Sequence, residues 1–494
     1  MSDMTNPDVI SAARGEETWK SLRVSQTVRM VLLGVCLVCC SASAMRAQAQ
    51  DQASTGATSP DLARRVDDLQ KQIESLQSEL ATVKKQLSES SASAAVAPAA
   101  TPGAGAASSS VPAPSAAPAQ PAAGAPGPTA PAATTMASLL GPLSVTGFVD
   151  GYYGYNFEHP HTVPCPANTV PSGLNTPCSA FRAFDGPSQQ LGLNMIELIL
   201  DKPPDANNSR IGYHLAFGFG NAMNVVNGTD PGGLGFAQYI KEAYGSYLAP
   251  VGKGLQVDFG KFVTPNGAEV IETKDNWNYS RGLLFTYAIP FYHFGLRTKY
   301  AFSGKYSVTG YVVNGWNNII DNNTGKTYGL SFGWNPTKKV SVTQNYMAGP
   351  EQANNNSNFR QLSDTVVTYS PTSRLSLMWN YDYGRGDRIA TAPNPVFWTG
   401  IAGYVKYAFT DKYALATRYE YFDDHNGFTT GAAQHFNEVT ETFERKIAGS
   451  LITRLEFRRD MSNQPSFVKG AAPVKSQNTV AAGLVYTFDM KELH

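Results

Sequence analysis

The sequence of 494 residues predicts an all-β fold, a transmembrane antiparallel β-barrel of about 16 strands preceded by a signal peptide, a short coiled-coil helix and an Ala/Pro-rich linker. Three observations predict it. Apolar residues alternate with small or polar ones from Leu143 to Phe488, which is the period of a β-strand. Short turns alternate with long polar loops in the same region. No apolar run reaches the roughly 18 residues that a membrane-spanning helix needs.

The composition restricts the function. Lysine plus arginine and aspartate plus glutamate both total 39, so the formal net charge is zero. The basic excess that neutralises phosphates is missing, and we expect no nucleic-acid partner. None of the seven histidines lies in a recognisable motif with a nucleophile and a base. We therefore expect no catalytic residues and no cofactor.

Residues 1–49 are predicted to be a signal peptide. Basic residues, the last of them Arg29, precede the apolar run from Met30 to Cys40, and an A-x-A site ending at Ala49 follows. Basic, apolar and cleavage parts in this order are typical of an export signal. A lipoprotein anchored through Cys40 is the alternative, although Cys39 lies where such signals prefer Gly, Ala or Ser.

Residues 50–89 are predicted to form a periplasmic coiled coil. Ser59 and Pro60 provide an N-cap and a first-turn proline. Apolar residues then repeat at alternating spacings of four and three: Leu62, Val66, Leu69, Ile73, Leu76, Leu80, Val83 and Leu87. This period of about 3.5 residues predicts a homo-oligomer, and we favour a trimer, although the seam residues do not decide between two and three helices. An amphipathic helix lying on another surface is the alternative.

Residues 90–140 are predicted to be a disordered linker. No charged residue occurs between Glu89 and Asp150, and Ala, Pro, Ser and Gly dominate as far as Thr135. Such a segment cannot bury a core and favours extended polyproline geometry. The coiled coil can therefore stand away from the barrel within the periplasm.

Residues 141–494 are predicted to form the barrel. The alternation is clearest from Tyr328 to Trp334, from Leu375 to Tyr383 and from Ile211 to Phe219, but a soluble β-sandwich alternates too. The lengths of the connections distinguish the two folds. The expected short turns are 203–209, 249–254, 303–305, 336–339, 370–374 and 410–412, and the expected long loops include 158–189, 220–236, 264–283 and 461–476. One rim of short turns and one of long loops is typical of an outer-membrane barrel whose termini lie at the periplasmic short-turn rim.

Two cysteines remain after removal of the signal peptide. Cys165 and Cys178 make an even count in an oxidising compartment, so we expect a disulfide that closes a loop. A metal site that also recruits His159 and His161 is the alternative, which we do not favour.

Five stretches of the barrel region carry a resemblance to a known family: Ser144 to Phe157, Leu193 to Pro204, Gly254 to Phe285, Ala288 to Arg297 and Val312 to Lys326. They resemble the OmpL-like β-barrel porin family of bacterial outer membranes. The resemblance covers about Ser144 to Phe488 and implies a porin-like pore surrounded by outer-membrane lipid. It supplies no catalytic residues.

The end of the barrel region, Gly483 to Phe488, is similar to the terminal-strand signal that the barrel-assembly machinery reads. A glycine followed by alternating apolar and aromatic positions implies that this machinery is a partner of the chain. Residues Asp489 to His494 extend beyond Phe488, whereas such signals commonly end the protein.

The third long loop is the candidate for a pore constriction. In general diffusion porins, which this arrangement resembles, the third loop folds into the lumen and sets the pore size. Here that loop is Pro265 to Gly282, and its charged residues are Glu269, Glu272, Lys274, Asp275 and Arg281. Opposite charges at this place would create a transverse field for permeating solutes. A surface loop with solvated charges is the alternative.

Charged residues on the inner face of the strands are the candidates for the lumen wall. Arg and Lys facing lipid at mid-depth would cost roughly 2–4 kcal/mol each, so we expect these charges to face water. They alternate with outward apolar residues and comprise Asp382, Arg418, Glu420, Arg454, Glu456 and Arg458.

Three charged residues do not fit the alternation. Glu441 and Arg445 share the outward parity of Phe443, which suggests a bulge, a subunit contact or another register. Lys261 shares the parity of outward Phe259, which suggests a bulge at Gly260.

The sequence therefore predicts an outer-membrane porin that forms a water-filled channel for small hydrophilic solutes. A structural anchor or adhesin, tethered to the periplasm through the coiled coil, is the alternative. An outer-membrane hydrolase would need a nucleophile, a base and an orienting group together, and the sequence offers no such set.

Overall fold

The computed structural model describes residues 143–161, 163, 165, 177–233, 235–386 and 395–489. The expected signal peptide, coiled coil and linker (1–49, 50–89 and 90–140) lie outside these residues. Among the described residues no helix is long and apolar enough to cross a membrane.

The described chain forms a closed antiparallel barrel of 16 strands, in agreement with the predicted fold class. The barrel strands are β1 (Ser144–Asn156), β2 (Gln190–Lys202), β3 (Ile211–Phe219), β4 (Ile240–Ala249), β5 (Leu255–Val263), β6 (Tyr292–Ala301), β7 (Tyr306–Val313), β8 (Thr327–Thr337), β9 (Val340–Pro350), β10 (Phe359–Tyr369), β11 (Leu375–Gly386), β12 (Val396–Ala408), β13 (Tyr413–Asp424), β14 (Gln434–Ile447), β15 (Leu451–Ser462) and β18 (Ser476–Asp489).

The first and last strands seal the sheet. β1 pairs with β18 from Thr146 opposite Asp489 to Asn156 opposite Thr479. From β1 to β15 each strand pairs with the next one in the chain, and β15 pairs with β18. This hairpin, β16 (Phe467–Lys469) and β17 (Ala472–Val474), lies in the connection between β15 and β18. Because the sheet has no open edge, its backbone polar groups are paired within the barrel, as a lipid environment requires.

The connections divide into two rims, as the sequence predicted. One rim has the short turns 203–210, 250–254, 302–305, 338–339, 370–374, 409–412 and 448–450. The other, called the long-loop rim below, has the connections 157–189, 220–239, 264–291, 314–326, 351–358, 387–395, 425–433 and 463–475. Its loops contain α1 (Asn221–Asn227), two 3-10 turns (Phe236–Tyr239 and Thr273–Asp275) and a π-helical turn (Leu284–Ala288).

The two faces of the sheet differ as lipid outside and a filled interior require. Outward side chains such as Tyr328, Leu330 and Leu455 are 59%, 54% and 56% exposed. Inward side chains such as Glu438 and Asp460 are fully buried. The core therefore lies inside the barrel, where aromatic loop residues pack over a charged inner wall.

The structure corrects the suspected bulges. The registers of β13, β14 and β15 run without a shift, so Glu441 and Arg445 lie on the outer face. No register shift occurs at Gly260 either, although its φ is +139°. Lys261 is buried. Its Nζ donates to Asn227 Oδ1, on the loop between β3 and β4, at 2.5 Å and to the carbonyl of Ile240, the first residue of β4, at 2.6 Å.

Candidate pore-constriction site

The loop from Pro265 to Gly282, called the crossing loop below, leaves β5 and turns into the barrel. Near its start, the Pro265 carbonyl accepts a hydrogen bond from Asn345 Nδ2 on β9 at 3.0 Å. The Ala268 backbone N–H donates to Asn380 Oδ1 on β11 at 3.1 Å. The loop therefore begins against strands that lie well away from β5 in the sheet.

A carboxylate on β15 anchors the far part of the crossing loop. The backbone N–H groups of Tyr279 and Ser280 donate to Glu456 at 2.6 and 3.0 Å, and Thr442 Oγ1 on β14 donates to the same carboxylate at 2.7 Å. Asn278 Nδ2 donates to Thr442 Oγ1 at 2.8 Å. Hydrogen bonds to an ionised acceptor are about twice as strong as neutral ones, so this is a firm anchor.

A second carboxylate anchor lies on β1. Asp150 is fully buried and accepts hydrogen bonds from Tyr279 Oη at 2.9 Å, from Thr273 Oγ1 at 2.7 Å and from Asn194 Nδ2 on β2. The Tyr279 ring fits there because Gly483 on β18 has no side chain. A Cβ at Gly483 would lie 2.4 Å from the ring.

Two arginines on β15 bind backbone carbonyls of the loop. Arg454 donates to the carbonyls of Thr273 and Asn276 at 2.5 and 2.7 Å, and pairs with Glu444 on β14 at 2.7 Å. Arg458 donates to the Arg281 carbonyl at 2.8 Å and pairs with its strand neighbour Asp460 at 2.7 Å. The guanidinium donors thus satisfy loop carbonyls that water cannot reach.

Arg418 on β13 links the wall to both ends of the loop. It is fully buried and donates at 2.6 Å both to Glu269 Oε1 and to the Ser280 carbonyl. Its Nε pairs with Glu438 on β14 at 2.7 Å. Glu269 in turn accepts the Gly282 backbone N–H at 2.6 Å, which closes the loop on itself.

Glu272 fixes the loop to β4, the neighbour of the strand from which the loop leaves. Its carboxylate pairs with Lys241 on β4, which also pairs with Glu197 on β2. Burial alone would raise the pKa of the Glu272 carboxyl, but the Lys241 ammonium outweighs burial and holds that pKa below its ordinary range. The ion pair is therefore charged at neutral pH.

The five predicted constriction residues have different environments. Glu269 and Arg281 are buried, and Glu272 is nearly so. Lys274 and Asp275 pair with each other at 2.5 Å, and their side chains remain 25% and 54% exposed. Of the five, Lys274 and Asp275 are thus the ones that solvent reaches most readily.

The six predicted lumen-wall residues lie on the inner face but are buried instead of facing water. Arg418, Arg454, Glu456 and Arg458 bind the crossing loop as described above. Glu420 accepts the Leu283 backbone N–H just beyond the loop at 2.5 Å. Asp382 is fully buried, and neither of its carboxylate oxygens has a hydrogen-bond partner among the described residues.

Some residues that position the loop were not predicted. Asp150, Asn194 and Thr442 bind it from β1, β2 and β14. The sequence feature that could have identified them is their position in the alternation, because each is a polar residue on the inward face of its strand. Alternation identifies that face, but it does not identify which loop will cover it.

The structure places a disulfide between Cys165 and Cys178 in the connection of β1 and β2, with the Cα atoms 5.2 Å apart. Among the described residues no group of three or more His, Cys, Asp or Glu side chains could hold a metal ion.

A closed sheet with an apolar outside and a charged interior crossed by a loop defines the class of transmembrane barrel proteins of the outer membrane. Residues 142–488 match the family described as "Putative beta-barrel porin-2, OmpL-like". The chain belongs to this family of outer-membrane porins, which are channels. No curated protein matches the sequence.

The chain is also similar to solved porin structures. They include the trimer form of the outer membrane protein OmpT of Vibrio cholerae (14% identity, 70% of this chain and 99% of that chain, TM-score 0.45). The anion-selective porin of Comamonas acidovorans has 9% identity over 70% and 99% of the chains, with a TM-score of 0.47. Salmonella typhi OmpF, in complex with daunomycin, has 12% identity over 70% and 97%, with a TM-score of 0.47.

Proposed function

We propose that the chain forms a water-filled channel for the diffusion of small hydrophilic solutes, and that the crossing loop sets its width. The observation that carries the proposal is the set of contacts from this one loop to nearly opposite strands of the barrel, from Glu272 to Lys241 on β4 and from Glu269 to Arg418 on β13. A loop held at both sides of a barrel narrows the passage that a solute can take.

The exposed ion pair of Lys274 and Asp275 supports a role in solute passage. These side chains lie on the loop and keep part of their surface in solvent, so a passing solute would meet both charges. The buried residues Glu269 and Arg281 then act by holding the loop in place.

Conductance tests this proposal. The refolded protein, inserted in planar bilayers, is expected to pass ions in discrete steps. A folded and inserted barrel that never passes current would contradict it. Deletion of residues 51–135 separates the channel from the anchor hypothesis, because unchanged conductance together with lost envelope integrity would favour a tether.

We also propose that copies of the chain associate as a homo-oligomer, a trimer being favoured, through the N-terminal coiled coil in the periplasm. A groove on the outer face of β1, β2, β14, β15 and β18 supports this association, since its lining includes Phe443, Arg445, Leu455 and Ala482. Glu441 lies on the same outer face and accepts a hydrogen bond from Thr417 Oγ1 at 2.9 Å. Charges on this face are less costly against a second copy than against lipid.

Native mass measurement in detergent tests the oligomer. The full chain is expected to give one species with the mass of the oligomer, and deletion of residues 51–135 is expected to reduce the amount of this species. A monomer at all concentrations would contradict it. The barrel-assembly machinery, expected from Gly483 to Phe488, would insert β18 beside β1, and substitution of Phe488 is expected to slow insertion.

A further inference from the structure

Two cavities lie inside the long-loop rim. They share lining by Thr229, Thr286, Tyr287 and Phe291, and their volumes are about 570 and about 370 Å³. The smaller one, called the outer cavity below, is bounded by the first residues of β10 and β12 and by the loops before β4, β6, β8, β10 and β14.

An arginine on β10 is held in this cavity by two aromatic rings. The Arg360 guanidinium carbon lies 5.0 Å from the centre of a Trp316 ring and 4.9 Å from the centre of the Phe428 ring. Such contacts fix a guanidinium in one plane without using its N–H groups. The five donors of Arg360 therefore stay in the edge of that plane, where a ligand can meet them.

Arg360 has no hydrogen-bonded partner of its own in the described parts of the chain. Its guanidinium forms neither a hydrogen bond nor an ion pair with another described residue. The neighbouring carboxyl, Glu351, is occupied by the Trp316 backbone N–H at 2.7 Å and by Thr327 Oγ1 at 2.5 Å.

The larger cavity provides an internal comparison. Arg182 lines it, but this guanidinium is buried and fully engaged with its own chain. It pairs with Asp185 and donates to Thr479 Oγ1 at 2.8 Å. Of these two arginines, Arg182 uses its N–H groups within its own chain, as a structural residue does. Arg360 contacts only aromatic rings, so its N–H groups can bind an anion.

We propose that the outer cavity binds the carboxylate of a small organic acid through Arg360, while the apolar body of that acid packs on Ile289, Phe291 and Trp398. A guanidinium fork matches a carboxylate in two parallel hydrogen bonds. Part of the lining is polar, as in Asn317 and Asn318, but the apolar wall of Ile289, Phe291 and Trp398 favours an acid with an apolar body over a hydrated inorganic anion. Glu351 nearby disfavours a second negative charge, which selects a monocarboxylate over phosphate.

Block of the channel current by benzoate tests this site, which deepens the proposed channel function and rests on it. Benzoate added on the long-loop side is expected to interrupt the current carried by potassium chloride. Acetate has the carboxylate of benzoate without its aromatic ring, and benzyl alcohol has the aromatic ring without the negative charge. Both should need at least about tenfold more concentrated solution for half-block, the effect expected of about 1.4 kcal/mol of binding free energy.

The variants separate the possible outcomes. Arg360→Gln should raise the half-blocking benzoate concentration at least about tenfold and leave the potassium chloride conductance within about twofold. Arg360→Lys keeps the positive charge but loses the two-pronged geometry of the guanidinium. Its half-blocking benzoate concentration should lie between those of wild type and Arg360→Gln, and this variant keeps the test valid if Arg360→Gln does not fold. Equal benzoate block of wild type and Arg360→Gln would overturn the site, as would stronger block by glucose or by phosphate.

Calorimetric titration of the detergent-solubilised protein with benzoate distinguishes failure of the site from failure of the channel. Heat of binding that Arg360→Gln abolishes, in a protein that carries no current, would support the site and contradict the channel. Normal current without benzoate block or heat would contradict the site alone.

Discussion

Glu456 provides the sharpest test of how the crossing loop is held. Its carboxylate accepts the backbone N–H groups of Tyr279 and Ser280 and is buried on β15. The substitution Glu456→Gln keeps the size of the side chain and removes its charge. No ion pair to Glu456 is present among the described residues, so the change leaves no buried cation without its partner.

The magnitude follows from the two loop contacts. The Tyr279 and Ser280 N–H groups bind different carboxylate oxygens, and glutamine keeps only one acceptor oxygen. One contact therefore becomes a neutral hydrogen bond and loses roughly 1 kcal/mol, whereas the other is lost and leaves a buried N–H unpaired, at a cost of about 1–3 kcal/mol. The two contacts together lose about 2–4 kcal/mol, which raises the population of the detached loop by about 30-fold or more.

Single-channel recording measures this effect. Glu456→Gln is expected to show more frequent current fluctuations and excursions to larger conductance, because the loop leaves the wall more often. Glu441→Gln is the matched control, since Glu441 lies on the outer face and accepts from Thr417 instead of from the loop. Conductance and fluctuation frequency equal to wild type in Glu456→Gln would refute the reasoning.

Three further predictions follow from the same loop. In Gly282→Ala the new methyl group would lie 2.2 Å from a buried carboxylate oxygen, so this variant should fluctuate, whereas Gly304→Ala at the short-turn rim meets nothing within 4 Å and should not. The pKa of Glu272 is held below its ordinary value of 4.5, so its ion pair stabilises the loop fully above that pH and is lost only as the pH falls further. The frequency of current fluctuations should therefore rise only below about pH 4.5 in wild type. In Glu272→Gln it should be high already at neutral pH. A wild-type current that does not respond to acid would argue against this anchor. A small thiol reagent should reduce the current of Asp275→Cys and not of Glu269→Cys, whose parent side chains are 54% and 3% exposed; equal reactivity would contradict the described burial.

The barrel could be predicted from the sequence because two independent patterns agree. Alternation assigns each side chain to one face, and it placed Arg454, Glu456 and Arg458 on the inner face correctly. The two sets of connections separated a barrel from a sandwich and gave the strand number. Both patterns are local, so a single chain is enough to read them.

The environment of the inner face could not be predicted in the same way. Parity reports which face a residue takes, and it does not report what covers that face. Arg418 was therefore expected in water, whereas it binds Glu269 and Ser280 across more than a hundred residues of chain. The role of Asp150 depends on the same long-range contact with Tyr279.

Alternation also fails to predict the environment of three charged residues that it assigns to the outer face. The outward parity of Lys261 suggests a bulge, but Asn227 on the loop after β3 and Ile240 at the start of β4 supply hydrogen-bond acceptors for its ammonium group. Glu441 and Arg445 do follow their parity to the outer face. Alternation alone cannot distinguish a side chain that a loop covers from one that a second subunit would cover.

A disulfide crosslink between the crossing loop and the wall tests the central claim most directly. Asn278 Nδ2 and Thr442 Oγ1 lie 2.8 Å apart inside the barrel. The double variant Asn278→Cys with Thr442→Cys should therefore crosslink in the native membrane, and the crosslink should leave the conductance close to that of wild type. Asn278→Cys paired with Thr417→Cys, which lies on the outer face, should not crosslink. Absence of the first crosslink, or labelling of the single variant Asn278→Cys by a bulky thiol reagent from the long-loop side, would contradict a loop held inside the barrel.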